Sequence, residues 1–469
     1  MMTDDKHSPI TGADLIAWGH RPGRQFPTLL AEAAQALAEG ADRDTIRARL
    51  ERLIPAPLAH LSLQDEGAVP LHVNLTASDP DEEANLQAVL ATMRDVLRTP
   101  TVTAGAILPD ACPAGPLGTI PVGGVVAARN AIHPGMHSAD ICCSVMLTDL
   151  GEVDPKAALD AAQAITHFGP GGRGPDERLP VDPELLDAFR ANPFLSGAKM
   201  LHLAQSHMGT QGDGNHFLFI GRSAASGRVA MVTHHGSRGP GGLLYKAGME
   251  VAEGFRKRLS PVTLKQNAWI PADTEEGLAY WEALQILRRW TKANHDALHQ
   301  AVADRVGAAP GARFWNEHNF VFKRGDIYLH GKGATPAWTD YAEDATGLTL
   351  VPLNMAEPVL VVKGRDASHA LGFSPHGAGR NWSRTEHRRR LGALTPDQAL
   401  AAETQGLDIR FHAGGVDASE LPSSYKPAAT LVRQIGEHGL AEVVDRIEPH
   451  GCIMAGDIPP FWEAKRSRR

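Results

Sequence analysis

Nowhere in the 469 residues do eighteen apolar residues run together, so no segment reaches the length of a membrane-spanning helix. The opening stretch MMTDDKHSPITG has no apolar run behind a basic patch either, which predicts a soluble, cytoplasmic protein with no membrane partner. Cysteine is scarce, with four in the chain and two of them neighbours at 142 and 143. So few make no disulfide framework and leave reduced thiols available as ligands or nucleophiles. Positive charge is also short, 46 Lys and Arg against 54 Asp and Glu, a net −8. With no global attraction to nucleic acid, an RNA site has to be a local basic patch. RTEHRRR (384 to 390) and the tail KRSRR are the two visible, and each by itself reads as a solvated face or a frayed end.

What is present is enough apolar residue, 43% of the chain, to bury a large core in one big domain or two to three ordinary ones. Helical periodicity covers 28 to 54, broken at Gly40 with Asp42 or Asp44 as a cap, and predicts an N-terminal helical hairpin. Helices are also predicted at 84 to 98, 155 to 167, 241 to 259, 276 to 306, 395 to 405 and 427 to 446. The runs HFLFI, RVAMVTH, DIYLH, LTLVPL and PVLVVK read as strands. Their spacing is too irregular for a βαβ repeat and no internal repeat occurs, so the expected class is α+β. FGPGGRGPDERLP (168 to 180) and GSRGPGG (236 to 242) read as loops within the domain.

Histidine falls at strand ends or loops beside glycine or asparagine: His216 in GDGNHFLFI, His234 and His235 in VTHHGSRG, His318 in NEHNF, His330 in LHGKGAT and His376 in PHGAGRNWSR. One such histidine is usually a satisfied core residue, but five places in one chain suggest a site built on loops. Adding Asp140 and Cys143 from SADICCSV makes a set of carboxylate, thiolate and imidazoles suited to manganese, zinc, cobalt or nickel. Cys142 and Cys143 point opposite ways if the stretch is extended, so only one of them faces a site.

ADICCSV, GDGNHFLFI, HHGSRGPGG, EHNF, HGKGAT and HGAGRNWSR stand in the order and at the separations of the motifs of the RtcB family of RNA ligases. The resemblance runs from about residue 105 to about 456. It implies an RtcB-like α+β fold in which 1–60 is an N-terminal helical extension and 61–469 one large catalytic domain with a central metal-binding cleft. It implies two manganese ions and GTP as cofactors, and Cys143 as the thiolate shared by both metals. His216 and His234 would complete one metal's shell, Asp140 with His318 the other's, and His376 would take GMP. Asp110 in LPDAC falls where the family has an aspartate needed near the metals. Arg238, Arg380 and Arg384 would clamp phosphates. Asn215, Gly377, Ala378 and Gly379 would line the nucleotide site, and Tyr425 in SSYKP would stack on guanine. Residues 11 to 30 resemble a short helical element near the heads of tRNA nucleotidyltransferases.

The departures are Cys112 for the family's histidine, Cys142 for its glycine, Phe219 for a glutamate and Ala455 for a lysine. The last two fall at guanine-contacting positions, so the implied discrimination of guanine is weak. The expected activity is the joining of RNA 3′-phosphate or 2′,3′-cyclic phosphate ends to 5′-hydroxyl ends in RNA repair, with tRNA splicing as the alternative setting. An accessory protein is a further candidate partner. A metal-dependent phosphohydrolase and an inactive RNA-binding protein are the competing classes. The intact HGAGR around His376 weighs against the first, and the acidic surface with a full ligand set against the second.

Overall fold

In the computed structural model the described residues are 8–20, 26–53, 60–115 and 119–457. They divide into two compact units, Met1–His60 and Leu61–Arg469. The first unit is three helices, Gly12–Ala17, Phe26–Ala38 and Arg43–Leu53. A capping box from Thr11 starts the first. Gly40, at φ +84°, makes the left-handed turn between the other two, a conformation only glycine adopts without strain. Leu15, Leu29, Ala33, Ala36, Ile46 and Leu50 are its core.

Two antiparallel-dominated sheets organise the second unit, an α+β architecture. One runs Leu71–Val73, Val102–Cys112, Val122–Arg129, Ile327–Lys332 and Asn319–Arg324. The larger one runs Leu348–Pro352, Val359–Gly364, Ala441–Met454, Phe217–Ser223, Val229–His235, Ser144–Gly151 and Arg313–Glu317. Asp408–Phe411 pairs with Ala441–Met454 beside that path. Alternation splits the larger sheet's side chains between two faces. Val145, Leu147, Phe219 and Val232 join one cluster with Met355 and Cys452. The reverse face lies against the helix Glu275–Arg305, whose buried stripe is apolar at Tyr280, Leu284, Leu287 and Trp290, then polar at Thr291, Asn294, His295 and His299. No helix among the described residues is long and apolar enough to cross a membrane.

Three expectations need correction. Residues 427 to 446 are not one helix: Ala428–Glu437 is helical, and Gly439 at φ +59° ends it before the strand Ala441–Met454. The stretch 236 to 242 is mostly the first turn of the helix Arg238–Leu259. The strands Val102–Cys112, Val122–Arg129 and Ser144–Gly151 were absent from the sequence reading, because each is buried nearly throughout and shows no alternation. The basic stretch 384 to 390 is a helix whose Arg388, Arg389 and Arg390 are ion-paired to Asp417, Asp457, Glu386 and Asp81. The tail KRSRR lies outside the described residues.

Buried histidines make the fold sensitive to acid. Burial holds His133 and His137 down to a pKa of about 4 and His295 to about 3. Below the ordinary histidine pKa the unfolded chain takes up protons that the folded one refuses, so stability is full above that value and falls with pH. Urea unfolding of chelator-treated protein should therefore show a loss of roughly 1 kcal/mol for each of the three between pH 7.5 and 5.5.

Candidate metal centre and active site

The last four strands of the larger sheet, Phe217–Ser223 to Arg313–Glu317, alternate in direction, with Phe217 paired to His234 and Ser144 paired to both His235 and Glu317. The start of one strand therefore lies beside the end of the next. His216, His234, Cys143 and His318 each occupy such an end, at one edge of the sheet. Backbone bonds lock the edge: His318 N–H donates to Cys143 O at 2.9 Å, and Cys142 N–H to Asn319 O at 2.7 Å. Gly236 makes room for the Asp140 carboxylate, which a side chain there would strike.

Cys143 Sγ is 3.1 Å from His234 Nε2 and 3.5 Å from His216 Nε2. His234 Nε2 is 3.2 Å from His318 Nε2, and His216 Nε2 is 3.2 Å from Asp140 Oδ2. Two donor groups result, Cys143 with His234 and His318, and Cys143 with Asp140 and His216. The donor groups thus pair His234 with His318 and His216 with Asp140, where the expected division set His216 with His234; neither pair comes from adjacent strands, and Cys143 stands in both groups.

Proton placement shows what the donors lack. His216 Nδ1 faces Gln211 O at 2.7 Å and His234 Nδ1 faces Asn215 O at 3.2 Å. A carbonyl only accepts, so both Nδ1 atoms carry a proton and each ring turns its Nε2 toward the donor group. Burial first, then neighbouring imidazoles, hold His234 and His318 well below the ordinary histidine value, so they are neutral. Burial, with the Asp140 carboxylate next, pushes the Cys143 thiol well above its usual value. Imidazole nitrogens, a carboxylate and a sulfur held protonated by burial are a donor set of the kind that binds divalent metal ions.

Cys142 faces the other way, into the main core. Its φ of +58° is the left-handed region where a non-glycine residue is strained. His330 and His235 are also outside the donor groups. His330 accepts from His133 N–H at 2.9 Å, and His235 stacks on His295 with centroids 3.5 Å apart.

His376 lies next to the centre, its ring centroid 4.7 Å from that of His318. Asp110, expected near the metals, stands outside the donor groups and beside His376. It lies fully buried in the strand Val102–Cys112, and its Oδ2 accepts from His376 Nδ1–H at 2.6 Å and from His376 N–H at 3.2 Å. The bond holds the proton on Nδ1, orients the ring and turns Nε2 away from Asp110. Gly379 at φ +71° lets the loop after His376 cross the backbone of Asp110, which any Cβ would strike.

A cavity of about 150 Å³ opens beside His376, lined by Asn215, Phe219, Met355, His376, Gly377, Ala378, Gly379 and Tyr425 among others. It brings together Asn215, Phe219, His376, Gly377, Ala378, Gly379 and Tyr425 of the residues expected at the nucleotide site. Ala455 is outside it, packed with Leu159 and Leu218 in a separate core cluster. Arg380 lies over the Tyr425 ring at 4.6 Å and donates to Ser419 O at 2.6 Å and to Glu420 Oε2 at 2.5 Å. Arg384 pairs with the other oxygen of Glu420 at 2.8 Å. It lines an open cleft of about 710 Å³ with Asp140, Asn215 and His216. Arg238 is half-buried at the start of its helix, donating to Gly169 O at 2.9 Å. Two residues of this region were missed in the sequence. Glu420 holds both arginines and Tyr425. Lys332, in the HGKGAT stretch quoted for its histidine, donates to Ile120 O at 3.0 Å, and burial lowers its pKa to about 8.

If Cys143 serves both donor groups, Cys143→Ala should lose metal at both, whereas Cys142→Ala keeps most of it. Elemental analysis of the two purified variants decides this, and equal loss counts against a shared thiolate. Metal binding must release the thiol proton, so apparent affinity should fall by about tenfold per pH unit on acidification from neutrality.

Residues 188–455 match the family model described as tRNA-splicing ligase RtcB. The tRNA-splicing ligase RtcB of Archaeoglobus fulgidus is 26% identical over 406 residues, covering 71% of this chain and 84% of the relative. That of Thermococcus kodakarensis is 24% identical over 408 residues, with the same shares. The RNA-splicing ligase RtcB of Mycobacterium tuberculosis is 26% identical over 404 residues, 71% of this chain and 93% of the relative. With more than half its length in the family model and the buried donor set at one sheet edge, the chain belongs to the RtcB family.

Proposed function

We propose that the protein is an RNA ligase that joins 3′-phosphate or 2′,3′-cyclic phosphate ends to 5′-hydroxyl ends, using GTP as co-substrate and two manganese ions. The relatives' names supply RNA joining. The observation that carries the mechanism is His376: its Nδ1–H is held by Asp110, its Nε2 points away from that bond, and it stands beside the donor groups and the cavity.

In this reading His376 Nε2 attacks the α-phosphorus of GTP, forming an N–P bond as the P–O bond to pyrophosphate breaks. Asp110 keeps the imidazole oriented and stabilises the positive charge that develops on it. An oxygen of the RNA 3′-phosphate then displaces His376 from phosphorus, activating the RNA end as a guanylate. A 5′-hydroxyl attacks the 3′-phosphate, and GMP leaves as the new phosphodiester forms. Asp140, Cys143, His216, His234 and His318 would hold the two cations, whose chemistry is to offset phosphate charge and acidify the attacking hydroxyl. Arg384 is placed in the open cleft where a phosphate chain would pass, and Arg380 is set by Glu420 at the cavity wall. Repair of broken RNA is the setting we favour, since the chain departs from its family at Cys112, Cys142, Phe219 and Ala455.

Incubation with manganese and α-labelled GTP should leave an acid-labile label on the protein. His376→Ala should keep its metals and its fold, lose the label and all joining of 3′-phosphate ends, and still seal RNA supplied with guanylate already on its 3′-phosphate. An adduct on that variant, or loss of its metals, would show His376 to have another role.

Base selectivity should be low. Phe219 is buried in the cavity wall and Ala455 lies outside it. The one carboxylate in the wall, Glu420, is taken by two arginines and Tyr425. A site that does not pair the guanine edge discriminates by about a hundredfold or less, against 10⁴ or more for one that does. Labelling rates with GTP and ATP at equal concentration measure the ratio, and a preference of several orders of magnitude would mean that other groups read the base.

A further inference from the structure

On the reverse face of the strands that carry Cys143 and His234 lies a set of buried hydroxyls and imidazoles that neither the donor groups nor the His376 cavity uses. Ser144 and Thr148 come from one strand, Thr233 from its neighbour, and His295 and His299 from one face of the helix Glu275–Arg305, four residues apart. All five are fully buried. Five contacts of 2.7 to 3.0 Å join them in a line with Arg313: Arg313 Nε to Thr148 Oγ1, Thr148 to His299 Nδ1, His299 Nε2 to Thr233 Oγ1, Thr233 to His295 Nδ1, and His295 Nε2 to Ser144 Oγ.

The direction of every bond follows from one end. His295 Nε2 also faces His235 O at 3.3 Å, and a carbonyl only accepts, so Nε2 carries the proton. Burial holds both histidines well below the ordinary value, so each has one ring proton. His295 Nδ1 then accepts from the Thr233 hydroxyl. Thr233 has spent its single proton, so its contact with His299 is a bond donated by His299 Nε2–H. His299 Nδ1 accepts from Thr148, and Thr148 accepts from the Arg313 guanidinium, which has protons only to give. At the far end Ser144 Oγ–H faces Cys142 O at 3.1 Å and His235 O at 3.3 Å. Those carbonyls belong to the residues adjoining Cys143 and His234.

We propose that Thr148, His299, Thr233, His295 and Ser144 form a one-directional hydrogen-bond relay that fixes the backbone presenting Cys143 and His234, making Thr233, His295 and His299 positioning residues of the metal centre. The proposal rests on the reading that Cys143 and His234 are metal donors. Side chains alternate across a strand, so a peptide clamped from the helix side sets the direction of the donor on the opposite face. Bonds polarised in one sense reinforce each other in a dry core, and one missing hydroxyl leaves an imidazole unpaired on each side of the gap. Thr233, shared by both imidazoles, is the link whose loss interrupts the line at its centre.

Cobalt is the probe, because its thiolate charge-transfer band reports coordination at Cys143. Thr233→Val keeps the shape and removes the hydroxyl. It should bind cobalt about tenfold more weakly, with a shifted band. Thr233→Ser restores the hydroxyl without the methyl and should regain the parent's affinity and band, which a packing role for the methyl would not permit. Thr148→Val, one imidazole further from the metals, gives a second break should Thr233→Val fail to fold, with the same direction of change expected. Nitrogen-15 spectra of zinc-loaded protein should show His295 and His299 both as neutral Nε2–H tautomers. An Nδ1–H tautomer at either histidine would overturn the relay. So would a parent that binds cobalt together with a folded hydroxyl-free variant of unchanged affinity and band. A parent that takes up no cobalt would overturn the metal reading itself, and the positioning role with it.

Discussion

Two imidazole lone pairs, a cysteine sulfur and a carboxylate oxygen aimed at the same buried space repel one another unless a cation stands between them. Much of the second unit is arranged to impose that crowding. The Nδ1 protons of His216 and His234 are turned away, against the carbonyls of Gln211 and Asn215, and the proton a cation must displace is that of the Cys143 thiol. The same device recurs at His376, where Asp110 holds the Nδ1 proton and directs Nε2 outward. Control of which ring nitrogen is bare thus unites the metal donors and the proposed nucleophile.

An antiparallel sheet suits this task because neighbouring strands begin and end at a common edge. Four donors from sequence positions as distant as Cys143 and His318 meet without a long excursion of the chain, and backbone bonds across the edge fix their spacing. The long helix Glu275–Arg305 gives the sheet both an apolar support and a row of polar anchors. A wholly apolar helix face would also bury area, but it would leave strand rotation and register to packing alone.

The donors were legible because histidine beside glycine or asparagine at a strand end is an uncommon pattern and it occurred five times. Their grouping was not, since it depends on which strands are neighbours and the residues of a motif do not state that. Asp110 was expected near the metals without a named partner; only the strand Val102–Cys112 and its crossing by the loop at Gly379 reveal that partner as His376. The mixture of Leu, Val and Glu after Gly439 suits a helix or a strand, and pairing with Phe217–Ser223 and Val359–Gly364 decided for the strand. His295 and His299 were hidden inside a helical pattern, where spacing of four marks a face but not what lies across from it.

Glu420 has a consequence for how the two openings of the site respond to each other. Its carboxylate is bound by Arg380 at the enclosed cavity and by Arg384 at the open cleft. A phosphate that drew Arg384 toward the cleft would strip Glu420 of half its counter-charge and tighten its hold on Arg380 and Tyr425, the wall of the cavity. Linkage makes such an effect mutual. Occupancy of the cavity and arrival of a polyanion in the cleft are thereby joined through one carboxylate, so the order in which two ligands load need not be left to chance encounter.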